Sequence, residues 1–196
     1  MCTSLLPHKT GGRIQHNKDV YDLQQFNDGN RLVFFFISYG EQYTSMIISY
    51  EFVDTMMGRV LYNLGFGIFD AVNNCIVDQV TTDNGDVYKV FNTVLSTIPL
   101  FFDRFMDCIL MVKGSDGIAG FADRCKLTCR KRCEQYCRNF NRRIKIYCGY
   151  LNKNFKELVV EYQFFGEFRD QYGRLILEEY QPYKEYETVF VLRKKL

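Results

Sequence analysis

The sequence predicts an α+β fold, an antiparallel sheet with two main helices in the rough order β-β-β-α-β-α-β-β-β. Three observations predict it. Runs rich in β-branched and aromatic residues follow one another across short polar turns between residues 31 and 68. Apolar residues then recur at three and four positions, first over 87–98 and again over 118–144. Strand-like runs return near the end of the chain.

The elements follow in order. Residues 1–30 are polar and contain Gly11-Gly12 and Asn27-Asp28-Gly29, so they read as an extension with one short element near Tyr21 to Phe26. A single domain is expected over 31–196. Leu32 to Tyr39, Thr44 to Val53 and Val60 to Ile68 form a meander. The glycines of Leu64-Gly65-Phe66-Gly67-Ile68 predict a bulge or a close backbone approach. Thr81-Thr82-Asp83-Asn84-Gly85-Asp86 is a helix-start signal in which Asp83 or Asn84 can accept backbone N–H bonds. Val87, Val90, Phe91, Val94, Leu95 and Ile98 form the apolar face of the helix that follows, and Pro99 should kink or end it. Cys108 to Val112 reads as a strand buried on both faces. A second helix then carries Ile118, Phe121, Cys125, Cys129, Cys133, Tyr136, Cys137, Phe140 and Ile144 on one stripe. Leu158 to Phe165, Arg174 to Leu177 and Glu187 to Leu192 close the chain as strands.

The chain has 196 residues, 47% of them hydrophobic and 24% charged, which is enough for a core without disulfides or metals. The longest apolar run, Leu32 to Ile37, is far short of the about twenty residues of a membrane span. The first residues lack a basic region followed by an apolar stretch, so no signal peptide is expected. A cytoplasmic location follows, with the eight cysteines held as reduced thiols. The net charge of +2 conceals an asymmetry. Arg124 to Lys145 hold nine Lys or Arg and one acid, Glu134, whereas Glu157 to Glu187 hold eight acids and three bases.

Several groups of residues together resemble a family of small uncharacterised proteins, found mostly in Bacteroidota and known only as a domain of unknown function. They are Tyr62-Asn63-Leu64-Gly65-Phe66-Gly67, Thr82-Asp83-Asn84-Gly85-Asp86 with Lys89-Val90 and Thr93-Val94, Gly114-Ser115, and the ending from Glu185 to Lys195. The resemblance spans residues 31–196 and implies a bacterial, cytoplasmic α+β protein without an assigned activity. That family follows its Gly-Ser with an arginine-rich helix start. This chain is longer there, and Arg124 is the nearest counterpart.

Three features could carry chemistry. Cys125, Cys129, Cys133 and Cys137 are spaced by four. On one straight helix each step turns by about 40°, so the outer two would diverge too far to share a tetrahedral metal. Core packing is the simpler reading of such a stripe; metal binding and redox chemistry stay open. Second, Lys126, Arg130, Lys131, Arg138 and Arg142 lie mostly opposite that stripe and could dock a protein, which is favoured, or nucleic acid. No nucleic-acid-binding signature accompanies them. Third, Asp83, Asn84 and Asp86 open one helix, while Lys113, Gly114 and Ser115 precede the other. If these two starts converged, with Arg124 nearby, they would form a corner for a phosphate or nucleotide.

Classical catalysis finds little here. The two histidines, His8 and His16, both lie in the polar extension, and no catalytic residue or cofactor is assigned. The reading that follows is a non-enzymatic binding protein docking a macromolecular partner through its basic helix, with an accessory role in a defence or toxin–antitoxin pair as one form of it. The alternative is a small enzyme or nucleotide-binding protein working at the corner. The oligomeric state is left open.

Overall fold

The structure is a computed structural model that describes residues 19–73, 75–77, 84–129, 131, 133, 134 and 136–195, without the side chains of Asp28 and Thr128. It is α+β, with nine strands and three α-helices among the described residues. The chain divides into two compact units, Met1–Cys108 and Ile109–Leu196.

In the first unit β1 (Gln24–Asp28), β2 (Arg31–Tyr39), β3 (Tyr43–Met56) and β4 (Arg59–Asp70) pair antiparallel in sequence order, and β5 (Cys75–Val77) returns along β4. The predicted meander is β2 to β4, and the short early element is β1. The irregularity falls on β3, between Phe52 and Asp54, and not at the glycines of β4. A Cβ on Gly65 would meet Ser49 only at an ordinary 3.4 Å.

Helix α1 (Val87–Arg104) buries Val90, Phe91, Val94, Phe101 and Phe102. Tyr50 of β3 stacks on Phe101 at 4.4 Å between ring centroids, and its hydroxyl pairs with Thr97 at 2.7 Å. Pro99 does not end this helix. The proline lies on the exposed face, where water can satisfy the carbonyl that its missing N–H leaves free. The apolar face meanwhile continues to Phe102. The helix also starts later than its signal suggests, at Val87.

In the second unit β6 (Cys108–Lys113), β9 (Thr188–Arg193), β7 (Tyr162–Arg169) and β8 (Leu175–Glu179) are antiparallel neighbours in that order. Its helices depart most from the expectation. The cysteine stripe is not one helix. Helix α2 (Phe121–Thr128) stops where Cys129 becomes extended, and α3 (Arg142–Glu161) begins after Asn141 in the left-handed region at φ 54°. Repeated positive charges four apart, such as Arg138 and Arg142, oppose a continuous helix. A cap from upstream starts the new one: the carboxylate of Asp116, in a 3-10 turn at Ser115–Gly117, accepts the Arg143 N–H at 2.8 Å. Helix α3 then runs through Leu158 to Glu161, so the strand expected from Leu158 begins only at Tyr162. Ile144, Cys148 and Leu151 form its buried face.

Candidate functional site

The helix-start motif of the first unit builds a polar node. Asp86 caps no backbone with its side chain. Its Oδ2 instead accepts the Ser38 hydroxyl at 2.6 Å and the Tyr21 hydroxyl at 2.7 Å. Asn84 bridges the β2–β3 turn, donating to Ser38 Oγ and the Gln42 carbonyl, both at 2.9 Å, and accepting the Gln42 N–H at 3.1 Å. A Cβ on Gly40 would lie 2.8 Å from Asn84 Cβ and 2.9 Å from its carbonyl oxygen, so the turn needs glycine there. Lys89 Nζ stands 4.2 Å from the Tyr21 ring centroid and 4.9 Å from that of Tyr39. Burial, and then the Asp86 hydrogen bond, raise the Tyr21 pKa above its ordinary value. Asp83 lies outside the described residues.

The other half of the expected corner belongs to the second unit. Lys113 is exposed and Gly114 buried. A Cβ on Gly114 would come 2.5 Å from Asp116 Oδ1, so glycine there leaves room for the carboxylate that caps α3. The Ser115 hydroxyl accepts from Arg143 at 3.0 Å. Asn84 and Asp86 are thus engaged within the first unit, and Ser115 within the second.

Beyond α2, the basic residues and the cysteines share one segment. A groove of about 420 Å³ is lined by Tyr136, Cys137, Arg138, Phe140, Arg142, Lys145 and Ile146. Tyr136 is 73% exposed and Phe140 is 42% exposed. Arg138 and Arg142 are exposed too, while Lys145 pairs with Glu185 at 3.4 Å. Arg124, Lys126 and Lys131 are exposed outside the groove, and Arg130 lies outside the described residues. Sequence reasoning gathered these cations but missed the concavity, because it assumed an unbroken helix.

None of the four cysteines is buried; each is half-buried and free. The sulfurs of Cys129 and Cys133 are 3.8 Å apart, and the Asn139 amide donates to Cys125 Sγ at 3.3 Å and to Cys129 Sγ at 3.8 Å. Cys125 also interacts with Cys137. The break after α2 therefore brings together thiols that a straight helix would splay. Among the described residues no group of three or more His, Cys, Asp or Glu stands where it could hold a metal ion.

Fold and site define an α+β protein with a polar node in one unit and a basic, aromatic groove in the other. The chain belongs to a family of unknown function (DUF6934), which matches residues 17–119. That match contains the node and ends before α2. No curated protein and no solved structure matches the chain.

Proposed function

We propose that the chain is a non-enzymatic binding protein of the bacterial cytoplasm that docks an acidic protein surface in the groove of Arg138, Arg142 and Lys145. One observation carries this reading: three cations and two exposed aromatic rings line one concave place. Arg and Tyr are the residue types that concentrate binding energy at protein interfaces, and clustered cations speed and orient an acidic partner's approach. The surrounding positive charge, nine Lys or Arg against one acid over 124–145, extends that field. An accessory role beside an acidic partner in a defence or toxin–antitoxin pair is a form this activity could take. No helix among the described residues is long and apolar enough to cross a membrane.

The test is fluorescence anisotropy with two labelled probes of equal length, a poly-glutamate peptide and a single-stranded oligonucleotide. The peptide is expected to bind at about 50 mM salt and to weaken with added salt. Arg138→Glu with Arg142→Glu should reduce that binding by about tenfold or more. Tighter binding of the oligonucleotide, lost in the same variant, would move the assignment to nucleic acid, since stacking aromatics with cations also suit single strands. Binding of neither probe at low salt rejects the reading.

A further inference from the structure

The cysteines of this protein fall into two chemical groups. Cys108 and Cys148 are buried. Burial pushes the Cys108 thiol up to about 12 and raises Cys148 as well, so both are held as unreactive thiols. The segment after α2 is the opposite environment: half-buried, basic and rich in N–H donors directed at sulfur. The Cys133 sulfur accepts the Arg138 N–H at 3.4 Å. Cys129 is drawn below the ordinary thiol range, chiefly by the backbone N–H of Lys131, with further hydrogen bonds from Cys133 and Cys125. Cys125 goes the other way. The Asn139 amide pulls it down, but burial and the thiols of Cys137 and Cys129 together outweigh that pull. Negative charge is thus favoured on Cys129, and a second sulfur lies 3.8 Å from it.

We propose that Cys129 and Cys133 form a thiol–disulfide exchange site for small anionic disulfides, with Cys129 as attacking thiolate and Cys133 as resolving thiol. Cys129 Sγ⁻ attacks one sulfur of the small disulfide. The new bond joins Cys129 to half of the reagent, and the other half leaves as a thiolate that takes a proton from solvent. Cys133 gives its proton to solvent and attacks Cys129 Sγ, displacing the second half as a thiolate, which is protonated in turn. Two protein thiols are oxidised to one disulfide while one small disulfide is reduced to two thiols. Reactive cysteines sit in electropositive, partly exposed places beside a resolving partner, and this pair meets each condition. The exposed Lys126 and Lys131 favour a carboxylate-bearing reagent. On one straight helix, residues four apart sit near the limit of a bridgeable distance, but the chain leaves the helix at Cys129.

The experiment exposes the reduced full-length chain to oxidised glutathione, quenches with an alkylating reagent over time and maps the products by mass spectrometry. Glutathione should appear first on Cys129 and then give way to a Cys129–Cys133 disulfide. In Cys133→Ser the Cys129 adduct should persist, and in Cys129→Ser uptake across the segment should fall by about tenfold or more. The unsubstituted chain supplies a check independent of the variants: the pH profile of alkylation should have a lower midpoint at Cys129 than at Cys125. Equal rates at all four cysteines, or a first disulfide that omits Cys129, overturns the proposal. So does one zinc ion per chain, in protein purified without chelator, whose removal is needed before Cys129 reacts.

Discussion

The Asp86 node and the segment from Cys125 to Lys145 are both polar, yet they are built on opposite plans. At the node one carboxylate answers two hydroxyls, Ser38 is fully buried, and an asparagine amide uses both ends to hold a turn. Its groups are spent on one another. In the cysteine segment the thiols are half-buried and the arginines of the groove are exposed. A polar cluster that satisfies itself acts as a joint, whereas one that leaves charge and sulfur facing solvent is available for recognition and chemistry. The family match includes the first and ends before the second. Within Asp83-Asn84-Gly85-Asp86, the side chains of Asn84 and Asp86 both take part in this joint.

The largest expected effect comes from breaking the joint. Asp86→Ala removes the acceptor of two hydroxyls and should lower unfolding stability by about 3 kcal/mol, read by urea denaturation. Lys131→Ala, in the exposed segment, should stay within about 0.5 kcal/mol. Equal losses would erase the contrast.

A second effect separates the two regions by pH. The raised Tyr21 pKa means that folding favours the protonated phenol. The stability it confers is fully present below the unfolded value of about 10 and is lost as the pH rises through the higher folded value. Stability curves between about pH 8 and pH 11 should therefore flatten in Tyr21→Phe. Cys129 is shifted in the opposite direction and should ionise before an ordinary thiol does. Tyr21→Phe with an unchanged alkaline profile would show that the phenol does not titrate as the node requires.

The smallest effect concerns Lys89. Lys89→Met keeps the aliphatic stem but removes the cation over Tyr21 and Tyr39, and should cost about 0.5–1 kcal/mol in the same denaturation assay.

Much of the fold is legible in the residues themselves. β2, β3 and β4 declare themselves by composition, and α1 by its apolar period, because each is stabilised by its own neighbours in sequence. Where the reading fails, the deciding contact is distant. Nothing in Arg142-Arg143-Ile144 announces a helix start, since its cap is the carboxylate of Asp116, 27 residues before Arg143. A four-residue cysteine spacing looks helical whether sulfurs line a stripe or gather after a break. Val159 and Val160 resemble a strand, but they belong to a helix whose buried face is set by Ile144, Cys148 and Leu151. For the candidate site, the cations and thiols could be picked out by residue type, while the groove that Cys137, Arg138, Arg142 and Lys145 help to line could not.

The claim that the groove docks an acidic protein is met most directly by photo-crosslinking in cells. A photoreactive residue at position 136, in the full-length chain, would report what lies against the exposed Tyr136 ring. A discrete protein adduct is expected, lost when Arg138→Glu and Arg142→Glu are introduced together. Adducts to nucleic acid, or a protein adduct that survives both charge reversals, would contradict it.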